Sequence, residues 1–157
     1  MKNIVVIGIG QELRGDDAIG PEIVRIWREE YPDTAQRVRT EISPLPGLGL
    51  LDLLAGAEVA ILVDAVQSGA QPGTVHVVGV EDVDSFGAGS RSAHGFGVAE
   101  TLALGRQADS KSIPEVVTII GIEVLQMELG QPITPEVQKS IPAAVKQIEE
   151  IVRAYIT

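Results

Sequence analysis

A chain of 157 residues, 45% of them hydrophobic, has the length and apolar content for a single compact domain spanning 1–157, which argues against wholesale disorder. Its formal charge of −10 opposes phosphate backbones and anionic lipid surfaces, whose capture depends on Lys and Arg, so neither nucleic acid nor membrane is an expected partner. The absence of cysteine excludes disulfides, thiolate metal sites and cysteine nucleophiles, and agrees with a reducing cytoplasm.

Asn3 to Gly8 is a near-continuous Val/Ile run and reads as a first strand buried on both faces. Gly8, Gly10 and Gln11 end it before it reaches signal-peptide length, and no later apolar stretch approaches the roughly 20 residues that cross a bilayer. A soluble, cytoplasmic protein is expected. Ile19, Ile23, Ile26 or Trp27, and Tyr31 then recur at helical spacing, with Pro21 near the start, where its missing N–H costs nothing.

Arg37 to Ile42 is a less apolar strand, suited to a sheet edge, and a second helix covers about Gly47 to Leu54. Val59 to Ala65 repeats the pattern of a strand buried on both faces. Thr74 to Val80 belongs near an edge or in an antiparallel position, with His76 facing solvent. A third helix follows His94 and carries Phe96, Val98, Leu102 and Leu104; Val116 to Ile122 is the last buried strand. The final helix uses Val137, Ile141, Val145, Ile148, Val152 and Tyr155, begins at Thr134-Pro135, and is expected to kink or break at Pro142. Aromatic residues are only 3%, so Val, Ile, Leu and Ala must fill the core. The order β-α-β-α-β-β-α-β-α predicts a three-layer α/β/α sandwich around a mostly parallel five-stranded sheet. Such sheets place ligand sites beyond the carboxyl ends of the strands, where strand order reverses.

Polar residues near those ends carry the chemistry. The turn Gly8-Ile9-Gly10-Gln11-Glu12-Leu13 fails the dinucleotide fingerprint, since Leu13 stands where the third glycine belongs. Of the pair Asp16-Asp17, one carboxylate is expected to cap the following helix; the second adds repulsion that capping does not require, which leaves Asp17 open to a functional role. Asp64 closes the run Val59-Ala60-Ile61-Leu62-Val63-Asp64 and needs a cation, a hydrogen-bond network or water, unless it caps the next turn. His94, in the small-residue loop Ser92-Ala93-His94-Gly95, is a metal ligand, a general base or a plain surface residue. Two carboxylates and an imidazole from three crossovers form a candidate mixed oxygen/nitrogen metal site with open positions. Glu123, after the last strand, either faces the same crevice or starts a solvated helix.

Val6-Ile7-Gly8-Ile9-Gly10-Gln11 through Asp16-Asp17-Ala18-Ile19-Gly20, then Ile61-Leu62-Val63-Asp64-Ala65, Ser92-Ala93-His94-Gly95-Phe96-Gly97 and Gly121-Ile122-Glu123 resemble, in that order, the motifs of the nickel-hydrogenase maturation endopeptidases. Gln11, Ala18 and Val124 depart from that pattern, where Asn, Gly and Pro are usual, without removing a proposed ligand. The resemblance implies an α/β/α fold and a metal site at Asp17, Asp64 and His94. It also implies a hydrolase that removes the C-terminal extension of a hydrogenase large-subunit precursor, with nickel supplied by that precursor as the recognition signal. Asp17 is the first candidate for the carboxylate that activates water. The competing readings are a non-enzymatic nickel-binding assembly module, a dinucleotide-dependent oxidoreductase and a general aminopeptidase.

Overall fold

The computed structural model describes residues 2–79, 82, 91–92 and 97–156. The apolar runs that are too continuous to alternate form the middle of the sheet: β1 (Ile4–Ile9), β3 (Val59–Gln67) and β6 (Val116–Glu123). β2 (Arg39–Ser43) and β4 (Val75–Gly79), whose sequences mix polar and apolar residues, lie at the two edges of the order β2-β1-β3-β6-β4. All pairs along this path are parallel except β4 with β6, so the five-stranded, mostly parallel sheet is the one the sequence predicts. A two-residue strand, β5 (Arg91–Ser92), adds an antiparallel pairing to the end of β3, through Val66↔Ser92 and Gln67↔Arg91.

Helices cover both faces. α1 (Ile19–Glu30) and α6 (Ile141–Ile156) bury Ile23, Trp27, Val145 and Ile148 against Val6, Ile61, Val63 and Ile120. On the opposite face α3 (Leu48–Leu54) and α4 (Val98–Ala108) bury Leu50, Leu54 and Leu102 against Ile7, Leu62 and Ile119. Alternation along β1, β3 and β6 therefore feeds both cores, which is why these strands carry no polar stripe. Leu104, carried on α4, is exposed, because it lies off the buried face formed by Val98, Thr101, Leu102 and Gly105.

The final helical segment is divided. A single turn, α5 (Pro135–Gln138), ends before α6, and Pro142 sits in the first turn of α6, where no N–H bond is lost. A second short turn, α2 (Pro32–Ala35), follows α1. Glu149 of α6 ties these pieces together: it accepts from Trp27 Nε1 at 3.0 Å, Thr34 Oγ1 at 2.8 Å and Arg153 Nε at 2.5 Å. Among the described residues no helix is long and apolar enough to cross a membrane.

Candidate active site

Leaving β1, the chain crosses to β2 on one side; after β3 it continues to β6 on the other, so strand order reverses between β1 and β3. Gly10 donates to the Ser43 carbonyl at 2.9 Å and has φ of 150°, a region that L side chains rarely adopt. A Cβ there would lie 1.9 Å from the Asp17 carbonyl oxygen. The loop thus folds back over the end of β1 and enters a 3-10 turn, Gly15–Ala18, that leads directly into α1. The start of α1 comes so close to the sheet that a Cβ on Gly20 would meet Val63 O at 2.4 Å and Ile9 O at 2.6 Å.

This packing sets the turn carrying Asp17 above the gap between β1 and β3. Asp17 is 1% exposed, and its Oδ2 accepts from the backbone N–H of Gln11 at 2.8 Å. Asp64, next along from Val63, is also 1% exposed. By alternation with Ala60 and Leu62 it belongs to the α3/α4 face of β3. Both acids predicted for the site are therefore buried at the reversal point, where burial of carboxylates demands compensating polar partners. His94 lies outside the described residues, and among the described residues no group of three ligating side chains clusters tightly enough to hold a metal ion.

Asp16 departs from its expected role. Neither the 3-10 turn nor α1 has a side-chain cap. The fully buried Asp16 carboxylate instead accepts from Leu125 N at 2.9 Å, Gln126 N at 3.0 Å and Thr134 N at 2.6 Å, and from the Thr134 hydroxyl at 3.0 Å. It is spent on a distant loop, whose part-buried N–H groups take no strand partner.

Glu123 does not start a solvated helix. It is 2% exposed and accepts from Ser68 N at 2.9 Å and from the Ser68 hydroxyl, while His76 Nε2 lies 3.3 Å from its Oε1. His76 is accordingly half-buried and not solvent-facing, since its pairing opposite Gly121 places it on the same face as Glu123. Glu123 shares the α3/α4 face with Asp64 and stands opposite Val66 of β3, so it lies at the same end of the sheet. Thr134, expected to start the last helix, is the N-cap residue of α5 but gives its hydroxyl to Asp16 instead of capping, and Ser68 carried no signal, because nothing local marks a hydroxyl paired over such separations. A hollow of about 440 Å³ lined by Lys2, Arg37, Val38 and Arg39 lies at the amino ends of β1 and β2, away from Asp17 and Asp64.

The α/β/α frame agrees with the family comparison. A family described as hydrogenase maturation protease (HycI) matches residues 46–151. The chain is 32% identical over 155 residues to the hydrogenase expression/formation protein HupD of Rhizobium leguminosarum bv. viciae, covering 97% of this chain and 75% of that protein. It is 30% identical over 150 residues to the hydrogenase 2 maturation protease of Escherichia coli K12, covering 92% and 87%. Among solved structures, the hydrogenase maturating endopeptidase HybD from E. coli superposes with a TM-score of 0.79 at 27% identity, covering 97% of this chain and 93% of that one. The NiFe hydrogenase maturation protease HybD from Thermococcus kodakarensis gives a TM-score of 0.77 at 25% identity, covering 96% and 99%. Relatives of this kind, matched over nearly the full chain, displace the oxidoreductase, aminopeptidase and non-cutting readings. With a family model over residues 46–151, a relative 32% identical over nearly the whole chain and maturation endopeptidases among the superposed structures, the chain belongs to the hydrogenase maturation protease family and is an endopeptidase.

Proposed function

We propose that this endopeptidase acts in the cytoplasm on a nickel-loaded hydrogenase large-subunit precursor and removes its C-terminal extension. The observation that carries the reading is the burial of Asp17 and Asp64 together at the point of strand reversal, where an α/β sheet receives its ligand. Carboxylate and imidazole donors suit a first-row divalent ion, and Asp17, Asp64 and His94 supply that set. The nickel belongs to the substrate. Recognition by these side chains makes metal loading a condition for presenting the scissile bond.

Hydrolysis adds a water oxygen to the scissile carbonyl carbon, breaks the C–N bond and moves the water's proton to the departing amine. Asp17 is assigned as the base that takes that proton and returns it. The bond from Gln11 N–H to Oδ2 holds the carboxylate in one orientation, a requirement for an efficient proton acceptor. The test is incubation of the purified protein with precursor, nickel-loaded or nickel-free, with intact mass read before and after. Loss of the C-terminal extension from the loaded form alone is the expected result. Equal cutting of both forms would show that nickel is not the signal, and no cutting of the loaded form would overturn the assignment of substrate.

A further inference from the structure

We infer that the paired loops 11–16 and 125–131 form a preformed apolar docking surface for the protein substrate, presented through Leu13, Leu125 and Leu129. This rests on the reading of the substrate given above, and extends it from the acid site to the surface beside it.

These leucines are 75%, 54% and 76% exposed. A lone exposed leucine is ordinary, but three on one pair of loops are not. The backbone beneath them is unusually well tied. Asp16 N donates to Gln126 O at 2.9 Å, Gly15 N to Gln131 O at 3.1 Å and Gly130 N to Leu13 O at 2.8 Å, and Arg14 bridges Leu129. The Asp16 carboxylate adds its bonds to Leu125 N and Gln126 N from below. Within the loop, the Gln126 side chain accepts from Glu128 N at 2.6 Å and donates to Pro132 O at 3.2 Å. The Asp16 carboxylate and the backbone groups named above are spent on holding the loops together, while the leucines stay in water. Left free, such a loop would fold its apolar side chains away; held this way, it meets a partner without an ordering cost.

The occupant is a polypeptide because the chain is an endopeptidase, and the surface is continuous with the turn that holds Asp17, four residues after Leu13. A substrate whose scissile bond reaches Asp17 must lie beside this loop pair. The surface therefore matches apolar side chains of the precursor that flank the bond to be cut. Glu12 is taken up by Arg25, but the exposed Glu128 beside Leu129 suits a basic residue on the precursor next to that apolar contact.

The test compares the wild-type protein, the double variant Leu13→Asn/Leu129→Asn and the control Leu104→Asn, which removes an exposed leucine from α4. Affinity for immobilised nickel-loaded precursor is measured by interferometry, turnover at saturating precursor by mass spectrometry, and self-association by sedimentation. Matching circular dichroism and melting curves establish that the variants are folded. The expected result is an affinity loss of about tenfold or more for the double variant, with saturated turnover and the control unchanged. Equal affinity for wild type and double variant overturns the inference, as does a wild-type protein that fails to bind precursor. Wild-type dimers dissolved by the double substitution would reassign the surface to self-association and also overturn it. If the wild type binds but leaves the extension uncut, the substrate reading fails while the affinity comparison still decides the docking surface.

Discussion

Asp16 accepts both the backbone N–H of Thr134, at 2.6 Å, and the Thr134 hydroxyl, at 3.0 Å, across 118 residues of sequence. The same carboxylate holds Leu125 and Gln126, so one side chain reinforces the backbone bonds that fasten the turn bearing Asp17 to the loop beyond β6. Asp16→Ala strands several part-buried N–H groups at once, each costing about 1–3 kcal/mol. Chemical denaturation should show a loss of at least about 3 kcal/mol, with Asp16→Asn intermediate because one acceptor oxygen survives. A loss within about 0.5 kcal/mol for Asp16→Ala, the range of ordinary surface substitutions, would mean the carboxylate is not what holds the loop.

Glu123 plays the corresponding part on the other side. Its carboxylate gathers Ser68 N–H, the Ser68 hydroxyl and His76 against the end of β6, fixing the link between β3 and β4. Glu123→Gln retains the shape but turns one acceptor into a donor facing the donors of Ser68. The expected outcome is a destabilisation of about 1–3 kcal/mol, with precursor processing at saturation changed by less than about threefold. A large fall in saturated turnover in a stably folded variant would place Glu123 in the chemistry instead.

The parallel sheet was legible because β1, β3 and β6 cannot be anything else: their Val/Ile runs lack a polar stripe and require cover on both faces. Pro142 likewise announced the division between α5 and α6. Asp64 stood out as an acid closing a buried strand, and Asp17 as the second of two adjacent acids where one cap would suffice. Asp16, Glu123 and His76 were harder to read, for one physical reason. A side chain's periodicity tells which face it occupies, whereas the worth of a buried carboxylate depends on which donors the tertiary fold delivers to it. Ser68 reaches Glu123 from 55 residues away, and no spacing rule covers that distance. Leu104 belongs to the predicted helix but stands two residues from Leu102, off the buried α4 face of Val98, Thr101, Leu102 and Gly105, and so remains exposed.

Glu149 gives the fold a pH dependence of known sign. Burial alone pushes its carboxyl upward, but hydrogen bonds from Arg153, Trp27 and Thr34 outweigh that and hold it below the ordinary carboxylate value. A group depressed in the folded state contributes stability above its unfolded value and loses it as pH falls through the folded one. The stability difference between wild type and Glu149→Gln should therefore be greatest near neutrality and shrink in acid, below the ordinary glutamate range of about 4.3. Denaturant midpoints collected over a pH series provide the measurement. A difference that grows toward acid contradicts the assignment.

Gly20 sits where α1 meets the carbonyls of both β1 and β3. A methyl group there lands 2.4 Å from Val63 O and 2.6 Å from Ile9 O, and both obstacles are backbone, so no rotamer change relieves the contact. Gly20→Ala should cost about 3 kcal/mol, far more than the small gain in helix propensity returns. Because the shift displaces α1 from the reversal point, processing activity should fall further than stability alone explains. Residual turnover, corrected for the folded fraction, is the quantity to measure; a corrected rate equal to wild type would show that the close approach is not needed by the site.

The site assignment itself is open to direct dissection. Asp17→Asn, Asp64→Asn and His94→Ala each delete one charge or donor, and general acid–base catalysis contributes about 10²- to 10⁴-fold. Asp17→Asn should lower saturated turnover by about 10²-fold or more, over and above any weakening of loaded-precursor binding that it shares with the other two positions, because a base acts in the chemical step that saturation isolates. Asp64→Asn and His94→Ala, if they recognise the precursor's nickel, should weaken binding of the loaded precursor and leave binding of the nickel-free form unchanged. The contrast between loaded and nickel-free substrate separates recognition from folding, since a misfolded variant loses both. Normal processing by Asp64→Asn and His94→Ala alike would remove them from the site, and normal turnover by Asp17→Asn would move the base to another group.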